Sequence, residues 1–153
     1  MYKVLMVCLG NICRSPLAQG ILESTSKKNN LNIYVDSAGT GNWHSGSSPD
    51  KRSIDVAKKY GINISHQKAR QFSSEDFKNF HKIYVMDTQN YSNILKLCSS
   101  ENECNKVELI LKSINEHGRL SVPDPYYGGK DGFEKIYKLL HSACEKIVAD
   151  LIK

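Results

Sequence analysis

The run "KVLMVC" closes on Cys8, and Arg14, Ser15 and Pro16 stand six to eight residues further on, with Leu9, Gly10, Asn11, Ile12 and Cys13 between. A tight turn joining a strand to a helix aims its backbone N–H groups into one concavity, and the helix behind adds its positive end. Such a nest holds a tetrahedral anion. Gly10 permits close backbone approach or a strained dihedral, and Asn11 tolerates a left-handed conformation. Arg14 can offer two parallel donors to phosphate oxygens. Helix N-termini and adjacent cations favour a thiolate, so Cys8 is expected to lie ionised beneath the anion, with the Ser15 hydroxyl near enough to donate to it. A nucleophile under a phosphate cradle implies covalent phosphoryl transfer. A strand-end cysteine is more often a small buried hydrophobe. Here the spacing C-x5-R-S-P lets the arginine fold back over the sulfur, and it differs from the G-x-x-x-x-G-K-[ST] pattern of nucleotide loops.

The elements that must position this loop read as alternating strands and helices. Residues 2–7, 32–39, 82–87 and 106–111 are apolar runs of strand length. Ser15 and Pro16 read as the cap and first residue of a helix, and Ser48-Pro49-Asp50 opens another that stops at Gly61. A short helix through Phe77 and Phe80, a helix over 88–98 and a long terminal helix from Asp131 complete the pattern. Such alternation predicts an α/β fold: one four-stranded parallel sheet in a three-layer sandwich, flanked by helices. Ligands then bind beyond the carboxyl ends of the strands, and Cys8, Ser37 and Asp87 all lie at or just past those ends.

"VCLGNICRSP", "VDSAGT" (35–40) and "VPDPYYGG" (122–129) together resemble the low-molecular-weight protein tyrosine phosphatases, in the same order over essentially the whole chain. The resemblance implies a single phosphatase domain over 1–153, acting on phosphotyrosyl proteins and small aryl phosphates through a phosphocysteine. Asp124 is then the general acid and base; flanking prolines stiffen its loop, and a dry cleft beside a dianion favours the protonated acid. Tyr126 and Tyr127 line the cleft mouth opposite Trp43, and some members of the family are phosphorylated on the paired tyrosines. Asn11, Ser37 and His66 form a supporting shell that Asp87 helps to orient through the arginine or the loop. The family carries an acid where this chain has Gln19, so the pairing of that acid with His66 is lost. Cys13 resembles a second thiol that captures an oxidised nucleophile as a disulfide.

The remaining composition narrows the classes. The formal charge is +5, with basic residues in scattered pairs rather than runs, which argues against a nucleic-acid partner. No apolar run is long enough for an export signal or membrane insertion. Five cysteines without a C-x-x-C pair argue against a disulfide framework and against structural zinc, so reduced thiols and a cytoplasmic address are expected. No cofactor or metal is implied; inorganic phosphate and vanadate should inhibit, and the chain should be a monomer or weak dimer. Three rivals stand behind this reading. A thiol-dependent arsenate reductase needs a relay cysteine just after the third strand, where "VMDTQN" has none. A phosphoarginine phosphatase resembles this chain but has threonine where Ile12 stands. A non-catalytic phosphotyrosine binder would be expected to lack Cys8, Arg14 or Asp124. After peroxide, intact-mass mapping should show a Cys8–Cys13 bond reversed by dithiothreitol; irreversible sulfinic acid at Cys8 would contradict that assignment.

Overall fold

The computed structural model describes residues 1–114, 120–125 and 129–153, without the side chains of 129 and 130. Four strands, β1 (Tyr2–Cys8), β2 (Ile33–Gly39), β3 (Lys82–Val85) and β4 (Val107–Leu109), form one sheet in the order β2-β1-β3-β4. Every pairing is parallel. The central strand β1 is apolar on both faces because both faces are covered. Val4, Met6 and Cys8 point into one core with α1 (Arg14–Lys28), α2 (Lys51–Lys59) and α6 (Gly129–Ile152). Leu5 and Val7 point into the other, with Phe72, Phe77 and Phe80 around α3 (Asp76–Asn79) and Ile94 on α4 (Thr88–Leu95). The expected three-layer arrangement is therefore present.

Parallel register decides what meets at the rim. Cys8 lies beside Gly39 at the end of β2, and Val7 beside Val85. The chain leaving β1 therefore emerges between the ends of its two neighbours, the position at which parallel sheets bind ligands.

Several boundaries differ from expectation, each for a local reason. Helix α1 begins at Arg14 with Cys13 at its N-cap and no side-chain cap; Ser15 is not the cap because its hydroxyl is engaged with Cys8 and Asn11. Helix α2, by contrast, opens and stops as expected: Asp50 caps it, accepting from the Arg52 N–H at 2.8 Å, and Gly61 beyond its end has φ +80°, where glycine is unstrained. Strand β4 ends at Leu109, and Ile110–Ser113 tighten into a 3-10 turn. Helix α4 stops at Leu95, and Ser100 caps an unanticipated short helix α5 (Glu101–Cys104). That turn brings the Cys98 and Cys104 Cα atoms to 5.5 Å and the pair is disulfide-bonded, correcting the expectation of reduced thiols throughout. The separation lies within the range a disulfide requires, which a count of cysteines and a search for C-x-x-C could not register.

Phe77 is fully buried and meets Phe72 edge-on at 5.2 Å between ring centroids. Phe77→Ala should cost about 3–5 kcal/mol through lost burial and the cavity left behind. Calorimetry should show a melting temperature lower by roughly 10 °C; a change within error would mean that this layer collapses around the gap.

Candidate active site

Residues 8–15 wrap around the Cys8 sulfur. The Asn11 N–H points at Sγ from 3.3 Å and the Ser15 hydroxyl lies 3.0 Å away. The left-handed residue is Asn11, at φ 58°; Gly10 does not have positive φ. The need at Gly10 is space, since a Cβ there would sit 3.0 Å from the His44 ring. Asn11 is fixed in its unusual conformation by its own amide. Its Oδ1 accepts from the Arg70 backbone N–H at 3.0 Å, and its Nδ2 donates to Ser15 Oγ at 2.8 Å and Ser37 Oγ at 2.9 Å. An ionised sulfur can only accept, so the Ser15 hydrogen then turns toward Sγ. Gly39 completes the fit, because a Cβ there would lie 2.8 Å from the Leu9 carbonyl oxygen.

Arg14 is buried, with Nη1 donating to Asp87 Oδ2 at 2.7 Å and to the Val122 carbonyl at 3.0 Å. Burial alone would disfavour its charge. The Cys8 sulfur, Asp87 and Asp124 outweigh burial, leaving the guanidinium pKa above its ordinary value. Asp87 is also the N-cap of α4, accepting from the Asn90 N–H at 2.7 Å. One carboxylate thus ties the arginine to a helix end. The Val122 N–H donates to the Met86 carbonyl at 2.7 Å, which pins the segment carrying Pro123, Asp124 and Pro125 beside the end of β3. Asp124 Oδ2 stands 3.8 Å from Arg14 Nη2, with its side chain 46% exposed.

These groups surround a cleft of about 240 Å3 with Cys8, Cys13 and Arg14 among its lining, and Leu9, Gly10, Ile12, Trp43, His44 and Asp124 around them. Trp43 is 70% exposed, and its ring lies where a Cβ on Gly41 would be. The Cys13 thiol is pushed up to about 12, by burial first and by Asp50 and Cys8 next.

The structure therefore brings Cys8, Arg14, Asp124, the loop residues and Trp43 to one cleft, with Asn11, Ser15, Ser37 and Asp87 behind it. Tyr126 and Tyr127 lie outside the described residues. His66 is exposed and is among the charges that act on Glu23 of α1. Reasoning from sequence missed His44, whose neighbour Trp43 was the only signal. It missed the Arg70 peptide and the Val122 carbonyl too, and no sequence pattern marks a backbone group. It noted Gln19 only as a departure; in the structure Gln19 Oε1 accepts from Ser37 Oγ at 2.8 Å. Among the described residues no group of three or more His, Cys, Asp or Glu could hold a metal ion, and no helix is long and apolar enough to cross a membrane.

A parallel sheet with a thiol, a buried guanidinium and a carboxylate converging at its carboxyl rim defines an α/β protein with its site at the strand ends. Residues 3–153 match the family model described as low molecular weight phosphotyrosine protein phosphatase, and the chain belongs to that family. It is 44% identical over 138 residues to the low molecular weight phosphotyrosine protein phosphatase of Schizosaccharomyces pombe, covering 88% of this chain and 87% of that one. A crystal structure of the protein tyrosine phosphatase from Entamoeba histolytica matches with a TM-score of 0.94 at 37% identity, over 99% of this chain and 97% of that one. The Drosophila arginine phosphatase matches with a TM-score of 0.92 at 32% identity, over 99% and 98%.

A thiol raised to about 12 stays protonated through the neutral range. Iodoacetamide at pH 7 followed by peptide mapping should therefore modify Cys8 and leave Cys13 untouched; equal labelling would contradict the burial of Cys13.

Proposed function

We propose that the chain is a protein tyrosine phosphatase that hydrolyses phosphotyrosyl groups, and small aryl phosphates, through a phosphocysteine. The observation that carries this reading is the meeting of Cys8, Arg14 and Asp124 at one cleft, with the Asn11 N–H and Ser15 hydroxyl directed at the sulfur. Loop amides and the Arg14 guanidinium hold the phosphoryl oxygens. The Cys8 thiolate attacks phosphorus, an S–P bond forms, and the P–O bond to the phenol breaks. Asp124 gives its proton to the leaving oxygen. A water then attacks the phosphocysteine, Asp124 takes the water's proton, and the S–P bond breaks to release phosphate and the thiolate.

Geometry supports the assignment of roles. Arg14 meets Asp87 through Nη1, and Nη2 faces the side where Asp124 stands. Asp124 is half exposed while the cleft is open, and an aromatic ring seated against Trp43 and Ile12 would shield it from water. The apolar side chain of Ile12 favours that ring over a guanidinium leaving group, which separates this reading from a phosphoarginine phosphatase. Inorganic phosphate and vanadate would compete for the same cradle. A nucleophilic thiol needs a reducing compartment, so we place the activity in the cytoplasm, carried by residues 1–153 as a single domain.

Hydrolysis of p-nitrophenyl phosphate in EDTA tests this directly. Turnover should persist without metal and vanish in Cys8→Ser. In Asp124→Ala, kcat should fall by about 100- to 10,000-fold. Turnover surviving in Cys8→Ser would assign a different nucleophile.

A further inference from the structure

Arg70, in the connection between α2 and α3, grips the molecule with backbone and side chain at once. Its N–H donates to Asn11 Oδ1 at 3.0 Å, and its carbonyl accepts from the Gly39 N–H at 2.8 Å. A backbone N–H can only donate, so the Asn11 oxygen must face it and both Asn11 hydrogens fall to Ser15 and Ser37. The Arg70 guanidinium lies between two carboxylates. Nε and Nη2 donate to Asp36 Oδ2 at 3.2 and 3.0 Å, and Nη1 and Nη2 donate to Asp76 Oδ2 and Oδ1, each at 3.0 Å. Asp36 belongs to β2, upstream of Gly39 on the same strand, and Asp76 is the buried first residue of α3. Asp76 also accepts from the Ser73 N–H at 2.9 Å.

We propose that Arg70 is a positioning residue: its guanidinium, clamped between Asp36 and Asp76, holds the peptide that keeps Asn11 left-handed and its N–H aimed at the Cys8 sulfur. The inference rests on the reading of Cys8 as nucleophile. Asn11 at φ 58° is strained for a residue with a side chain, and it persists only where its surroundings hold it. Its N–H reaches the sulfur from 3.3 Å, so any turning of the Asn11 peptide is felt there. An isolated bridge between Gly39 and Gln71 joins the Arg70 segment to the end of β2. The neighbours Ala69 and Gln71 bond to Gly46, Ser47 and Thr40, in the loop that follows β2. Those contacts join loop to loop. The guanidinium ties the same segment to a strand at Asp36 and to a helix at Asp76. Bidentate pairing fixes direction as well as distance, and a lysine, as a point charge, could meet one carboxylate without squaring both. Burial alone would disfavour the guanidinium charge; Asp76 first and Asp36 next outweigh it, so Arg70 stays charged.

Coupling through Asn11 separates this role from a purely stabilising one. Arg70→Met, Arg70→Lys and Asp36→Ala are each made alone and with Asn11→Gly. Glycine takes a positive φ without strain but leaves the Arg70 N–H without its acceptor. Asp36 is part-exposed, so Asp36→Ala decides the matter should Arg70→Met fail to fold. Cys8 alkylation by iodoacetate is followed across pH, together with kcat/KM for p-nitrophenyl phosphate and the melting temperature. Weakening one hydrogen bond to the sulfur should slow acid-side alkylation and lower kcat/KM roughly fivefold in Arg70→Met, and about twofold in Arg70→Lys and Asp36→Ala. With Asn11→Gly present, the same changes should slow alkylation no further. A lower melting temperature with an unchanged alkylation profile in all three variants overturns the proposal. So does full recovery of alkylation in Arg70→Lys, which restores charge without the paired geometry. An Arg70→Met or Asp36→Ala effect that persists undiminished with Asn11→Gly overturns it too, since that is a field effect of the altered charge. A native Cys8 that phosphate fails to protect would instead strike the phosphatase reading itself.

Discussion

On the proposed reading, a negative sulfur held beneath an anion site is the constraint around which the rest of this structure is arranged. Two negative charges cannot share a buried pocket unless fixed donors surround them. The Asn11 amide and the Ser15 hydroxyl meet the sulfur, and the Arg14 guanidinium supplies the balancing charge. Donors of this kind are fixed in place before the reaction, so they need not reorganise as charge moves. The cost appears as a left-handed asparagine and a helix without a side-chain cap. Hydrogen bonds from the Arg70 peptide and to the Ser37 hydroxyl hold that strained turn.

Arg14 shows how one group can serve two regions. Its pairing with Asp87 reaches from the first helix to the cap of α4, and its bond to the Val122 carbonyl reaches the segment that carries the acid. Cys8, Asp87 and Asp124 are thus referred to one buried cation, although Cys8 and Asp124 are far apart in the chain. Removing a partner from such a cluster leaves a buried charge uncompensated, which costs more than the net value of the pair. The cluster is accordingly a device for registering the Asp124 segment against the loop at least as much as a source of stability.

His66 and Gln19 show a limit of reasoning by resemblance. Residues brought over from a motif carry their names but not their neighbours. Here Gln19 accepts from the Ser37 hydroxyl at 2.8 Å, and His66 is exposed. Likewise, the disulfide between Cys98 and Cys104 arises from a turn capped by Ser100 that no apolar pattern announces.

Local chemistry made much of this protein legible from its residues alone. The alternation of apolar strands and amphipathic helices dictated a parallel sheet, and the spacing from Cys8 to Arg14 brought thiol and guanidinium to one loop. Asp50, Gly61 and Asn11 carry conformational preferences that act within a few residues, so they too could be read in sequence. Tertiary structure alone decided that Asp124 would face Arg14, that Asp87 would hold the guanidinium, and that the Arg70 peptide would orient Asn11. It alone placed His44 in the cleft. Those contacts join segments far apart in the chain, or join backbone to side chain. They follow from strand register and helix packing, which fix distances that spacing along a sequence does not contain.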